Sequence, residues 1–353
     1  MRMMNIVLQC YWFFFAVTFG FTVPYVSGLT VTDGVFPGYV VAQDGTGDYT
    51  TVKEAVDEID KISESWGRFV IYVKTGVYNE NVEIYRSNVT LVGDGIGKTI
   101  ITANKSSANG SSTYASATFA VDGSGFMARG ITFRNTAGVG NGQAVAVRCS
   151  SDFAVFYHCS FEGYQDTLYY HSDHQFYREC DIYGTADFIF GFGAVVFQNC
   201  NIFVRNPSPG NTNTITADGR RDDGANRVGG GASFHKCTVT AAPDLKGSEA
   251  SVRTYLGRPW SNYSTTVFME SFLDSLIDPA GWSAWMAVAP LNTLYYGEYM
   301  NYGPGASTAQ RVNWAGYHVI NDPAEASKFT VGEFIDGDSW LPSTDVPFIS
   351  GLS

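Results

Sequence analysis

The chain has 353 residues, 45% hydrophobic and 15% aromatic but only 16% charged, with 38 Gly, 21 Tyr and 25 Phe. That composition excludes a disordered chain and favours a β-rich fold, and the length suits one large domain or two modest ones. A formal charge of −12 with no basic run argues against a nucleic-acid binder and leaves uncharged ligands, or ligands held by a few local contacts.

Residues 1–28, "MRMMNIVLQCYWFFFAVTFGFTVPYVSG", have the form of an export signal: Arg2 at the start, a mostly apolar run from Ile6 to Val23, and small residues at Val26-Ser27-Gly28 for cleavage. An uncleaved anchor is the alternative, since the run is near the length that spans a bilayer. The expected organisation is a signal peptide at 1–28 and one domain at 29–353, secreted, with no membrane association once the signal is removed. Four N-x-S/T sequons, at Asn88, Asn104, Asn109 and Asn262, agree with a secreted glycoprotein. Export also makes disulfides possible.

Next in the chain, "YTTVKEAVDEIDKISE" (49–64) places Val52, Ala55, Val56, Ile59 and Ile62 at helical spacing, with Thr51 and Glu54 positioned for a capping box. Short β-type runs follow at 68–73, 88–93, 126–135 and 143–148, punctuated by Gly, Asn and Asp. Then a unit recurs. "DFAVFYHCSFEG", "HQFYRECDIYG", "AVVFQNCNIF" and "ASFHKCTVT" each carry an aromatic followed by a cysteine, and Cys159, Cys180 and Cys200 are 21 and 20 residues apart. A period near 20 with several short strands per repeat predicts an all-β fold, a parallel β-helix with a short N-terminal capping helix. A propeller blade would need about twice that period. A sandwich would leave the column of Phe and Cys to coincidence.

Neighbouring strands lie about 4.8 Å apart, within the Cα separation a disulfide spans. The expected pairs are Cys159–Cys180 and Cys200–Cys237, the second across a long polar excursion at 205–231; Cys180–Cys200 fits the spacing too. Cys149 is expected buried and unpaired, and Cys10 leaves with the signal. The same period governs two acids in apolar company. Asp166 in "YQDTLY" and Asp187 in "DFIFG" are 21 residues apart, one turn of the coil, so they should stand on adjacent strands facing the same way.

Two close carboxylates cannot both ionise cheaply, which yields one acid and one anion in a single cleft. Taken singly, either aspartate reads as a turn-capping residue; in register and flanked by aromatics, the pair reads as a site. "LGRPW" (256–260) adds Arg258, able to hold one carboxylate bidentately, and Trp260, a flat face for a sugar ring.

The ordered motifs "GQAVAVR", "GYQDTLY", "DFIFG" and "LGRPW" closely resemble those of plant pectin methylesterases (pectinesterases), and the likeness runs from "VVAQDGTGDYTTVKEAV" near residue 40 to "FIDGDSWLPSTDVPF" near 348. The resemblance implies a right-handed parallel β-helix, no metal and no cofactor, and hydrolysis of galacturonate methyl esters in cell-wall pectin. It implies Asp187 as nucleophile, Asp166 as acid and then base, and Gln143 and Gln165 as oxyanion donors. Arg258 resembles the residue that orients Asp187, Trp260 the sugar platform and Thr113 a substrate-binding threonine. Phe190, Tyr169 and Trp282 are expected cleft aromatics. Homogalacturonan and a proteinaceous pectinesterase inhibitor are the implied partners, and the chain is expected to be a monomer.

Two positions depart from the family's pattern: Phe192-Gly193 replaces Asn-Ala, and Asp218 replaces Gln. About a dozen residues separate the signal from the start of the resemblance, so autoinhibition by the inhibitor-like N-terminal region that many relatives carry is not expected, with an incomplete gene model as the alternative. "HSDH" (171–174) has two histidines three apart but no further Cys or His ligands, and "GDGIG" (93–97) lacks the rest of a phosphate-loop motif and reads as a turn. A glycosidase also uses two carboxylates, and a pectin-binding wall protein without activity is the third possibility.

Overall fold

In the computed structural model the described residues are 38–62, 67–221, 230–285 and 291–352. All belong to the unit Val35–Ser353; the expected export signal at 1–28 lies outside them. Their strands form three sheets, of 11, 7 and 8 strands, and the pairing between neighbours is parallel throughout. One circuit shows the plan. Ala154–Tyr157 lies in the first sheet, Ser160–Glu162 in the second and Leu168–Tyr170 in the third, and His174–Arg178 then returns to the first beside its predecessor. The result is the right-handed parallel β-helix, the hand favoured for crossovers between parallel strands.

The coil holds because each repeat stacks like on like. Phe156, Tyr177, Phe197, Phe234 and Phe268 are register partners in the first sheet, and their rings stack at 4.4–5.0 Å with interplanar angles between 2° and 19°. Such pairs add about 0.5–1.5 kcal/mol each beyond the area they bury. The corner after each of these strands needs one residue in the left-handed region: His158, Glu179, Asn199, Lys236 and Glu270 have φ between 48° and 56°. A non-glycine residue there costs about 1–2 kcal/mol, which the stacked rungs on either side must offset.

The first four corner residues each precede a cysteine, so Cys159, Cys180, Cys200 and Cys237 do stand on successive rungs as the period predicts. They form no disulfide. All are buried free thiols, as is Cys149, which corrects the expected Cys159–Cys180 and Cys200–Cys237 bonds. Side chains projecting in parallel from in-register strands keep the strand spacing of about 4.8 Å, whereas a disulfide brings Cβ atoms to roughly 3.5–4.5 Å. The thiols donate to backbone carbonyls instead: Cys180 Sγ to Phe156 O at 3.4 Å, Cys200 Sγ to Tyr177 O at 3.4 Å and Cys237 Sγ to Phe197 O at 3.3 Å.

One end and one side of the coil are covered by its own chain. Helix Val52–Ile59 buries Val52, Ala55, Val56 and Ile59, with the capping box at Thr51 and Glu54 in place. Glu80 accepts from the Val52 and Lys53 amides at 2.9 and 2.8 Å, pairing two of the free N–H groups at the helix start. Short helices at Pro323–Ser327, Val331–Phe334 and Gly337–Trp340 follow the last strands. Val331, Ile335 and Leu341 from this tail pack on Val155, Phe176 and Val196, on the outer face of the first sheet.

Two sequence expectations change. "FMARGITFRN" is not one strand but two, Met127–Arg129 and Thr132–Asn135, broken at Gly130 with φ 67°. The polar excursion at 205–231 is not all loop, because Asn213–Asp218 is a fully buried strand of the third sheet.

Candidate active site

The outer face of the third sheet carries the site. Leu168–Tyr170 pairs with Ala186–Gly191 in the register Leu168↔Ile189 and Tyr169↔Phe190, which sets Asp166 beside Asp187. Both aspartates have positive φ, 61° and 50°, a conformation uncommon for non-glycine residues and frequent at functional sites. Both are nearly buried, at 7% and 5% exposure.

Their surroundings differ sharply. Arg258 forks onto Asp187, Nε to Oδ1 at 2.8 Å and NH2 to Oδ2 at 2.6 Å. Thr214 Oγ1 donates to Asp187 Oδ1 at 2.6 Å and accepts from the Asp187 amide at 3.0 Å. This is the geometry of a fixed carboxylate ion pair. Asp166 receives no hydrogen bond to its carboxyl from any described residue. Burial, and then the charge of Asp187, hold its pKa well above the usual carboxylate range, against a smaller opposing pull from Arg258. A carboxylate clamped by an arginine and a buried acid pushed toward its neutral form therefore stand on adjacent rungs.

Polar groups converge from the N-terminal side of the pair. Gln165 O accepts from the Ala144 amide at 3.2 Å, and Gln143 is tied through its backbone to Ser107. The side-chain amides of Gln143 and Gln165 make no hydrogen bond to another described residue, so both stay available as donors. Thr113 is half-buried at the start of the short helix Tyr114–Ser116, which Ser116 Oγ anchors by accepting from the Val145 amide at 3.1 Å.

Aromatic side chains line the same face. Tyr169 and Phe190 stack at 4.3 Å, and Trp260 stands edge-on to Phe190 at 6.0 Å. Gly191, at the end of the Asp187 strand, has no room for a side chain: a Cβ there would lie 2.0 Å from Tyr170 O. Trp282 does not belong to the cleft. It is 1% exposed and stacks on Tyr296 at 4.3 Å inside the coil, because it faces inward from the rung beside Gly257. Its place is taken by Trp285, over which the Arg258 guanidinium lies at 4.3 Å.

Sequence reasoning missed Trp285, Thr214, and the aromatic contribution of Phe192, which packs on Trp260 at 4.7 Å. It also missed a polar cluster at one end of the cleft. There Arg148, 1% exposed, donates to Asp122 at 2.7 Å and to the Tyr114 hydroxyl at 2.6 Å, and His171 sits edge-on to Tyr169 at 5.0 Å. No signal in a single sequence marks these residues, because each is placed by a rung distant in the chain. The exception is Phe192, already conspicuous as an aromatic added to "DFIFG". Asn88, Asn104, Asn109 and Asn262 are all exposed, though Asn109 uses its side chain to cap a turn, accepting from the Ser106 amide at 2.8 Å. Among the described residues no helix is long and apolar enough to cross a membrane, and no cluster of His, Cys, Asp and Glu is set to hold a metal.

Fold and site together define a class: right-handed parallel β-helix proteins with a carboxylate pair in an aromatic-lined cleft across one sheet. The chain belongs to the pectinesterase family, whose model, described as Pectinesterase, matches residues 38–338. It is 61% identical over 313 residues to Pectinesterase 2 of Citrus sinensis, covering 89% of this chain and 60% of that protein. It is 60% identical over 313 residues to a protein of Arabidopsis thaliana described as "Probable pectinesterase/pectinesterase inhibitor 17", with the same coverage of each. Among solved structures it resembles the pectin methylesterase from carrot with a TM-score of 0.87 and 49% identity, covering 91% of this chain and 100% of that one. The chain thus spans 60% of the length of these two curated relatives.

Proposed function

We propose that the chain is a pectin methylesterase: it hydrolyses the methyl esters of galacturonate units in cell-wall homogalacturonan, releasing methanol and leaving the polymer backbone intact. The observation that carries this reading is the unequal pair, with Asp187 clamped by Arg258 and Thr214 while burial and the Asp187 charge push Asp166, one rung away, toward its protonated form.

The residues take the following parts. Asp187 attacks the ester carbonyl carbon, and the oxyanion that forms accepts from the Gln143 and Gln165 amides. As the tetrahedral species collapses, the C–O bond to the methoxy group breaks and Asp166 gives its proton to the departing oxygen, so methanol leaves and an anhydride with Asp187 remains. Asp166, now a carboxylate, takes a proton from water, whose oxygen adds to the galacturonate carbonyl. Collapse frees the Asp187 carboxylate and the galacturonic acid, and Asp166 is protonated again. Arg258 orients Asp187 throughout. Trp260, Tyr169 and Phe190 offer apolar faces to the sugar rings, and Thr113 lies at the margin where a polymer would cross.

The same reading places the protein outside the cell as a monomer, acting without metal or cofactor. Glycans are carried at Asn88, Asn104, Asn109 and Asn262, and a pectinesterase inhibitor protein is the partner that would close the cleft. Asp166 and Asp187 also satisfy the bare requirement of a glycosidase, but two free amide donors beside a clamped carboxylate suit acyl transfer better. The product decides. Purified protein on methylated pectin should release methanol with chain length unchanged. New reducing ends would make it a glycosidase, unsaturated ends a lyase, and binding without any product a wall-binding protein.

A further inference from the structure

Behind the cleft lies a buried acid that the proposed reaction does not use. Asp218 ends the strand Asn213–Asp218, is fully buried, and points into the coil beneath the aromatic wall. Its Oδ1 accepts from two backbone amides, Thr265 N at 2.8 Å and Arg220 N at 3.2 Å, and its Oδ2 accepts from the Tyr170 hydroxyl at 3.1 Å. Its own carbonyl accepts from the Trp260 amide at 3.1 Å and from Ser264 Oγ. The Tyr263 amide in turn bonds Arg220 O at 3.2 Å. Asp218 thus ties both the chain leaving its own strand and the segment 260–265 to one carboxyl group.

The packing above it is tight. Gly219 sits between Phe192 and Trp260, and a Cβ there would lie 2.5 Å from one ring and 2.8 Å from the other. Movement of residues 218–220 would therefore move both rings. Arg258 is held separately, by its amide to Thr216 O at 3.0 Å and by its fork onto Asp187, so the reacting pair does not depend on Asp218.

The geometry points to Asp218 as a positioning residue that sets the stance of Trp260 and Phe192 from behind, and so governs how tightly the sugar polymer is held rather than how fast the ester is cleaved. This inference rests on the esterase reading for its substrate. The carboxyl is also poised to change charge: burial pushes its pKa up to about 7, against the hydrogen bonds from Thr265, Arg220 and Tyr170, which favour the anion. The titratable and charged groups facing it are Tyr170, Tyr296 and Arg220. Because burial outweighs those hydrogen bonds, ionisation favours any opening that hydrates the carboxyl, so the segment is held less firmly as pH rises through neutrality.

Steady-state kinetics on methylated pectin, with Asp218→Ala and Asp218→Asn beside the wild type, test this. Asp218→Ala should raise KM about five-fold or more while kcat stays within about two-fold. The wild-type KM should rise as pH rises from about 6 to about 8, whereas Asp218→Asn, which keeps the acceptor oxygen without the charge, should fold normally and hold the low-pH KM across that range. Three results would overturn the inference: KM unmoved in Asp218→Ala, a loss confined to kcat, or a pH profile in Asp218→Asn that matches the wild type. If the wild type releases no methanol, the esterase reading fails by itself. Calorimetric binding of methylated oligogalacturonides to the same three proteins then decides the role of Asp218 by the same pattern in Kd.

Discussion

The outer faces of the first and third sheets offer the same backbone and two different outcomes. Both carry buried apolar residues on or just before parallel strands, Val155, Phe176 and Val196 on one and Val145, Tyr169 and Phe190 on the other. The first is closed by the C-terminal tail, and its polar groups find partners there. Gln198 accepts from the Ile349 amide and from Arg178 at 2.9 and 2.7 Å, and its own amide donates to Ile349 O at 2.9 Å. On the third face, no described residue bonds the side-chain amides of Gln143 and Gln165, and the carboxyl of Asp166 has no donor. A glutamine saturated by its own chain serves the fold. One left open beside an acid that has no donor is available to a ligand.

Substitutions on the two faces should break in different ways. The largest effect belongs to the open face: Asp166→Asn should cost roughly 10²–10⁴ in kcat for methanol release with the fold unchanged by circular dichroism, since both proton transfers are lost. Gln143→Ala should retain pectin binding and lose about 10²–10³ in kcat, the usual consequence of removing one oxyanion donor; an unchanged kcat would remove it from that role. On the covered face, Gln198→Ala should leave kcat alone and lower stability by about 1–3 kcal/mol in denaturant titrations, because buried partners are left unsatisfied.

The smallest effect is a pH dependence. Burial pushes the Asp218 pKa up to about 7 in the folded chain, against the ordinary carboxylate value of about 3.9 when unfolded. The folded state therefore binds the extra proton, and the stability this gives is present at acid pH and lost as pH rises from about 4 through about 7. Asp218→Asn should flatten that decline when unfolding free energy is measured across the range.

How far the sequence reveals the fold and the site follows from this division. The 20–21-residue period located the stacking aromatics and placed Asp166 against Asp187, because a rung is a local repeat and its spacing is written in the chain. The capping box at Thr51 and Glu54 was visible for the same reason. Thr214 was not, since its strand lies in a polar stretch with turn-rich flanks and is buried only because Ala186–Gly191 lies beside it. Trp282 and Trp285 are three residues apart, and only the direction in which each leaves its rung separates core from cleft. The cysteine column was predictable as a column, but whether its members bond depends on Cβ geometry that spacing does not encode.

The most direct measurement is methanol release by Asp187→Asn, compared with wild type on the same methylated pectin, with thermal unfolding as a check on folding. Loss of turnover to background in a folded protein is the expected result, because the amide cannot form the anhydride. Persistent turnover would contradict the account at its centre, since the ester would then be cleaved without the carboxylate that Arg258 and Thr214 hold in place.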